Sequence, residues 1–256
     1  MDRREFSSRI IGAMCAGSGI PELLRAAPAA SVPSQAGSSR LLRSSALPRE
    51  VAGLRIPDSG IATTAVEIAR EACEASLFNH CARTYVFAGL LGVRRKLKVD
   101  LELLFLASIL HDLGLTERYM GPARFEVQGA DAARSLLTAH GVSSDRASTV
   151  HDAILMHATG FIAETRQPEI ALVSIATGTD VVGDRLDQFS SQETTQIDTA
   201  FPRLGFKKAF VKTCAAVVAR YPGSAHGFMR DIGARKVPHF RQTNICDAID
   251  AAPFAE

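Results

Sequence analysis

The chain has 256 residues, of which 46% are hydrophobic and 22% charged, and its formal net charge is +2. This is an ordinary soluble composition at the upper length for one domain, with ample chain for a large core. A balance so near neutrality offers no basic face for nucleic acid, the absence of Trp and the presence of only three Tyr argue against a base-stacking platform, and no apolar run approaches the roughly 20 residues that cross a bilayer.

The first 50 residues read as a separate object. Arg3-Arg4 followed by Glu5-Phe6 resembles a twin-arginine export signal; a weakly apolar stretch runs from Ile10 to Leu24, and Ala26-Ala27-Pro28-Ala29-Ala30 supplies the small residues a signal peptidase accepts. Glu22, Arg25 and the breaks at Gly17, Gly19 and Pro21 count against that reading, so the chain is expected either to be exported or to be cytoplasmic with an unstructured tail. Residues 31–45, rich in Ser, Pro and Ala, read as a linker that cannot bury a core. The five cysteines include no CxxC pair; buried thiols are expected, with a disulfide among Cys73, Cys81, Cys214 and Cys246 as the alternative for an exported protein.

From Ser59 onward the spacing is helical. Ala65, Ile68, Ala69 and Ala72 share one face. A second helix is predicted over residues 78–91, stopping near Gly92. Asp100 caps a third, which carries Leu103, Leu104, Ala107 and Leu110 inward and ends around Asp112-Leu113-Gly114 with Gly114 as its C-terminal cap. A fourth covers residues 128–140, and a fifth runs from Ser143 or Ser144 to about His157. Pro168 opens a sixth that carries Leu172, Val173, Ala176 and Asp180. A seventh covers residues 206–220, with short helical pieces near Phe228 and Ile245. Alternating strand patterns with hairpin turns are not seen, and the longest loops are placed at residues 116–127 and 184–202. The expected fold class is all-α, with residues 51–256 as the folded part.

The chemistry concentrates where the apolar third helix, Leu103-Leu104-Phe105-Leu106-Ala107-Ser108-Ile109-Leu110, runs into His111-Asp112. Two adjacent ionisable groups at a buried helix end need a partner, because a lone buried carboxylate costs several kcal/mol or neutralises itself. A cation resolves this, since imidazole and carboxylate are good ligands for zinc, iron or manganese. His80 and Asp180, on the second and sixth helices, are the candidates to complete the set, with Asp184 as the rival to Asp180. The second His-Asp pair, His151-Asp152, lacks the apolar approach and the Gly turn and reads as a solvated face.

A His, then His-Asp, then Asp on successive helices resembles the HD-domain superfamily, and the stretches at residues 78–85, 111–116, 124–130 and 153–157 resemble its cyanamide-hydratase-like branch over about residues 56–186. The resemblance implies an HD-domain-like helical bundle with a C-terminal helical extension. It also implies one divalent metal, zinc first and iron or manganese as alternatives, held by His80, His111, Asp112 and Asp180. His157, Glu126 and Thr116 are the candidate acid, base or substrate contacts.

The expected reaction is water activated by the metal adding to a small nitrile-like compound such as cyanamide, to give urea. Phosphohydrolysis is the alternative. It would draw on Arg118, Arg124 or Arg166, but Leu115 follows Gly114 where many HD phosphohydrolases place a base. A module that binds without chemistry is the third reading. The expected partner is a small molecule, with homo-oligomers allowed.

Overall fold

The computed structural model describes residues 46–241 and 244–253. The candidate export signal and linker, and Cys15, lie outside the described residues.

Two strands and eleven α-helices make up the described residues. The strands β1 (Glu50–Val51) and β2 (Leu54–Arg55) form an antiparallel hairpin, pairing Glu50 with Arg55 and Val51 with Leu54. Its turn places Ala52 and Gly53 at positive φ, the geometry of the tightest hairpin turns. The sequence reading expected no hairpin; strands of two residues are too short to display an alternating pattern. Tyr85 Oη donates to the Arg55 carbonyl at 2.7 Å, tying the hairpin to the bundle.

The helices that build the core are α1 (Gly60–Ala72), α2 (Ala75–Arg94), α3 (Leu101–Leu110), α4 (Phe125–Ala139), α5 (Ser144–Met156) and α7 (Pro168–Val182), with the single turn α6 (Phe161–Glu164) before α7. Asp100 caps α3 as its sequence position predicts, and Ser59 caps α1; in both, side-chain oxygens accept from backbone N–H groups of the first turn. Helices α2 and α3 are both buried almost all round; the nearly continuous apolar sequence of α3 requires this, whereas α2 also buries His80, Arg83 and Thr84. The helical hairpin of α4 and α5 and the face of α7 enclose them. A polar network fastens the start of α3: Arg146 bridges Asp100 and Glu102, and Glu169 accepts from the Asp100 N–H.

After α7 come α8 (Ser191–Ala200), α9 (Phe206–Arg220), α10 (Phe228–Lys236) and α11 (Ile245–Asp250). Helix α8 occupies the stretch expected to be a loop. Ser190 and Glu193 form a reciprocal capping box, a signal present in the sequence but unread, because only Ile197 of this helix is buried. Helices α9 and α10 add a second hydrophobic cluster, joining Phe206, Phe210, Cys214 and Met229 to Leu77, Leu115 and Phe125 of the core. Cys73, Cys81, Cys214 and Cys246 are all free thiols, so the disulfide alternative does not hold for them. No described helix is long and apolar enough to cross a membrane.

The end of α3 also departs from expectation. The helix stops at Leu110, and a 3-10 turn follows over Leu113–Leu115. Gly114 is no left-handed cap; it is there for close approach. A Cβ at this position would lie 2.0 Å from the Phe125 carbonyl oxygen and 2.9 Å from the Gly129 nitrogen, both of them backbone atoms of α4. The turn therefore packs backbone to backbone, glycine to glycine, onto α4. Replacing Gly114 by Ala is expected to destabilise the fold by about 2–4 kcal/mol, which thermal unfolding followed by circular dichroism would register as a fall of roughly 5–10 °C in Tm.

Candidate metal centre

Helix α3 gives way to the 3-10 turn at the two residues that matter most. His111 is still right-handed helical, at φ −61° and ψ −30°, whereas Asp112 has turned to φ −100° and ψ 12°. That bend lets adjacent side chains converge: His111 Nε2 lies 3.4 Å from Asp112 Oδ2. From α2, His80 Nε2 comes within 3.2 Å of His111 Nε2 and 3.6 Å of Asp112 Oδ2. His157, the residue that ends α5, places Nε2 at 3.8 Å from Asp112 Oδ1. All four side chains are buried.

Each ring is turned so that Nε2 faces this point. His111 Nδ1 donates to the Ser108 carbonyl at 2.7 Å, and His157 Nδ1 to the Ile154 carbonyl at 2.6 Å. A carbonyl can only accept, so Nδ1 holds the proton and Nε2 is left with a lone pair. Burial, reinforced by the neighbouring His80, lowers the His111 pKa to about 3; burial and His111 lower that of His157 to about 4. Both rings are neutral at ordinary pH.

His80 Nδ1 meets Asp180 Oδ2 at 2.7 Å. The Asp112 carboxyl is pushed up by burial and by Glu126, against the opposing pull of His80 and His157, and its Oδ2 is buried without a hydrogen-bond partner. Lone pairs and an orphaned carboxylate oxygen thus share one dry point. Two imidazole nitrogens 3.2 Å apart require a shared proton or a cation between them. Among the described residues, His80, His111 and Asp112 form a group whose ligand atoms lie within 4.8 Å of one another, and such a group can hold a divalent ion.

Asp180 stands behind His80. Its carboxylate receives Arg83 as a fork, at 2.7 Å from Nε and 2.8 Å from Nη2, and Arg203 Nη2 at 2.8 Å. Arg83 also donates to the Phe201 carbonyl at 3.0 Å. Burial pushes the Asp180 carboxyl up, but hydrogen bonds from His80 and Arg83 outweigh it and hold the group well below the usual carboxylate range. Its rival Asp184 is exposed, beyond the end of α7.

Of the other candidates, Thr116 uses its hydroxyl on the Leu113 carbonyl at 2.7 Å. Glu126 is buried, paired with Arg124 at 2.6 Å, and near enough for its charge to act on Asp112 and His157. His151-Asp152 lies on the outer side of α5, with His151 against Asp131 of α4.

A cavity of about 560 Å³ opens onto this centre, with Asp112 and His157 in its lining and walls of Phe125, Ile175, Phe206, Phe210, Phe228 and Ile232. Its other charged lining residues are Glu164, Asp184 and Asp231 against Lys207, with Glu164 itself paired to Arg185 at 2.8 Å. None of Arg118, Arg124 and Arg166 lines it; Arg118 pairs with Glu71.

The rings around the site form a closed circuit. His80 stacks on Phe206 at 4.7 Å, Phe206 meets Phe210 at 5.1 Å, Phe210 meets Phe228 at 6.2 Å and Phe228 meets Phe125 at 5.9 Å. The circuit returns through Phe125 to His157 at 5.4 Å, His157 to His111 at 4.9 Å and His111 to His80 at 5.0 Å. Arg203, Phe206, Phe210 and Phe228 were not identified from sequence, since nothing local marks a phenylalanine on an amphipathic helix as a site residue.

Removing one partner of a fully buried pair strands the other. Arg83→Met is expected to cost about 3–5 kcal/mol in urea unfolding at pH 7. Because the folded pKa of Asp180 is depressed, its contribution is complete above the unfolded carboxylate value of about 3.9 and is lost as pH falls toward the folded value. The acid loss of stability in wild type should be smaller in Asp180→Asn.

Residues 77–182 match the family model described as the HD domain. The cyanamide hydratases DDI2 and DDI3 of Saccharomyces cerevisiae are each 28% identical to this chain over 200 residues, covering 74% of it and 87% of theirs. The matched stretch runs from the helix carrying His80 to the helix carrying Asp180, with His111-Asp112 between them. Over residues 77–182 the chain thus resembles an HD domain, and over 74% of its length it is similar to the cyanamide-hydratase-like branch of that superfamily.

Proposed function

We propose that this chain is a metal-dependent hydratase that adds water to a carbon–nitrogen triple bond, as in cyanamide to urea. The observation that carries the reading is the convergence of Nε2 lone pairs and the orphaned Asp112 oxygen at the edge of a largely apolar cavity. The names of the yeast relatives support the substrate class.

In this reading His80, His111 and Asp112 hold the ion, and Asp180 fixes the orientation of His80, as carboxylates behind metal-binding histidines do. Zinc suits two imidazoles and a carboxylate with an open position; iron and manganese accept the same donors. A divalent cation there supplies Lewis acidity that makes water a nucleophile at neutral pH. His157, neutral and in the cavity lining, accepts the water proton at Nε2 as the oxygen bonds to the nitrile carbon, and returns it to the nitrogen. The imidic acid so formed tautomerises to the amide, which for cyanamide is urea. Glu126 acts through its charge on Asp112 and His157, and Thr116 through the Leu113–Leu115 turn it fastens.

The cavity favours a neutral substrate over a phosphate ester: the arginines a phosphate would need do not line it, and Asp184 and Asp231 do. Elemental analysis of protein purified without chelator should find one divalent ion per chain, lost in His111→Ala. Asp180→Asn should bind it about 10–100-fold more weakly. His157→Ala should keep the metal while kcat for urea formation falls by about 10²–10⁴. Phosphate release from a nucleotide panel with no urea from cyanamide would overturn the reading.

A further inference from the structure

Cyanamide has three non-hydrogen atoms. Counted as three waters, at about 30 Å³ each, it claims roughly 90 Å³, about a sixth of the 560 Å³ present. A cavity of this volume is the size that encloses a ligand of many more atoms, within the usual range of about 300–1,000 Å³. Its lining is not that of a water-filled vestibule. The circuit of rings divides into an arc of three imidazoles at the metal centre and an arc of four phenyl rings, Phe125, Phe206, Phe210 and Phe228, away from it. Ile175, Val181 and Ile232 extend the apolar wall, Ser174 and Thr177 add small hydroxyls on α7, and Glu164, Asp184, Asp231 and Lys207 are the charged groups of the lining besides Asp112. Val182, also in the lining, is 78% exposed. The chamber walls are therefore mostly apolar.

We infer that the substrate is a small polar head carried on a neutral, apolar body about the size of an aromatic ring, the body resting against the phenyl arc while the head meets Asp112 and His157. The identity of the head as a nitrile rests on the hydration reading; the apolar body does not. N-substituted cyanamides and aralkyl nitriles are the compounds of this description, and transfer of a ring out of water into such walls favours them over cyanamide itself.

The test is calorimetric titration of the metal-loaded full chain with urea and with N-benzylurea, the hydration products of cyanamide and N-benzylcyanamide. N-benzylurea is expected to bind at least tenfold more tightly, and Ile232→Trp and Val211→Trp, which fill the chamber from half-buried positions on separate helices, should abolish the preference. Two variants guard against one that fails to fold. Equal affinities, or a preference that persists in both folded variants, overturn the inference. Turnover is read separately, with cyanamide and N-benzylcyanamide as substrates. Cyanamide hydrated without any preference for the benzyl ligand leaves the hydration reading standing and removes the apolar body. A preference without hydration of either nitrile keeps the body and removes the nitrile head.

Discussion

Lone pairs aimed at one another in a dry interior repel, and a helical bundle has few ways to hold them there. Here the opposing force comes from outside the donor group. Arg83, buried as deeply as the histidines, grips Asp180 with a fork of hydrogen bonds; Asp180 turns His80; and His80 meets His111 and Asp112. The carbonyls of Ser108 and Ile154, freed at the ends of their helices, orient the other two rings. Each of these supports comes from a different element, so α2, α3, α5 and α7 must all be in register before the donors converge. The packing of α2 against α7 and the close approach at Gly114 serve that convergence as much as they serve the core.

Much of this was legible in the sequence because it follows from burial. An apolar run such as Leu103–Leu110 admits only a buried helix, and His111-Asp112 at its end demands compensation. Asp180 stood out for the same reason, as an ionisable group on an apolar helix, whereas His80 gained its weight from the family pattern. The cap at Asp100 and the first-turn proline at residue 168 placed two helix starts to within a residue, since one satisfies specific N–H groups and the other lacks one.

What sequence did not show was division of labour. Asp180 and His80 both read as ligand candidates, Asp180 with Asp184 as its rival, yet Asp180 hydrogen-bonds His80 from behind, a relation set by how α7 is rotated against α2 and by two arginines, one of them 23 residues further on. His157 was readable as a buried histidine at a helix end; that it faces the cavity depends on the tilt of α5. The hairpin and α8 escaped because their signals are local turn and cap chemistry, with little apolar periodicity to announce them. The phenyl arc escaped because it joins Phe125, at the start of α4, to α9 and α10 much further along the chain, at Phe206, Phe210 and Phe228.

The matched family stretch ends at residue 182, whereas Phe206, Phe210 and Phe228 lie after it. Chamber shape is thus written partly inside that stretch, at Phe125, Ile175 and Val181, and partly after it, where a wall residue can change without touching the donor group. Phe206 is the exception. It stacks on His80, lies 5.4 Å from the Arg83 guanidinium and forms part of the chamber wall. A change there answers to two masters, so descendants of this fold that exchange one guest molecule for another have their freedom at Phe210, Phe228 and Ile232 and their constraint at Phe206.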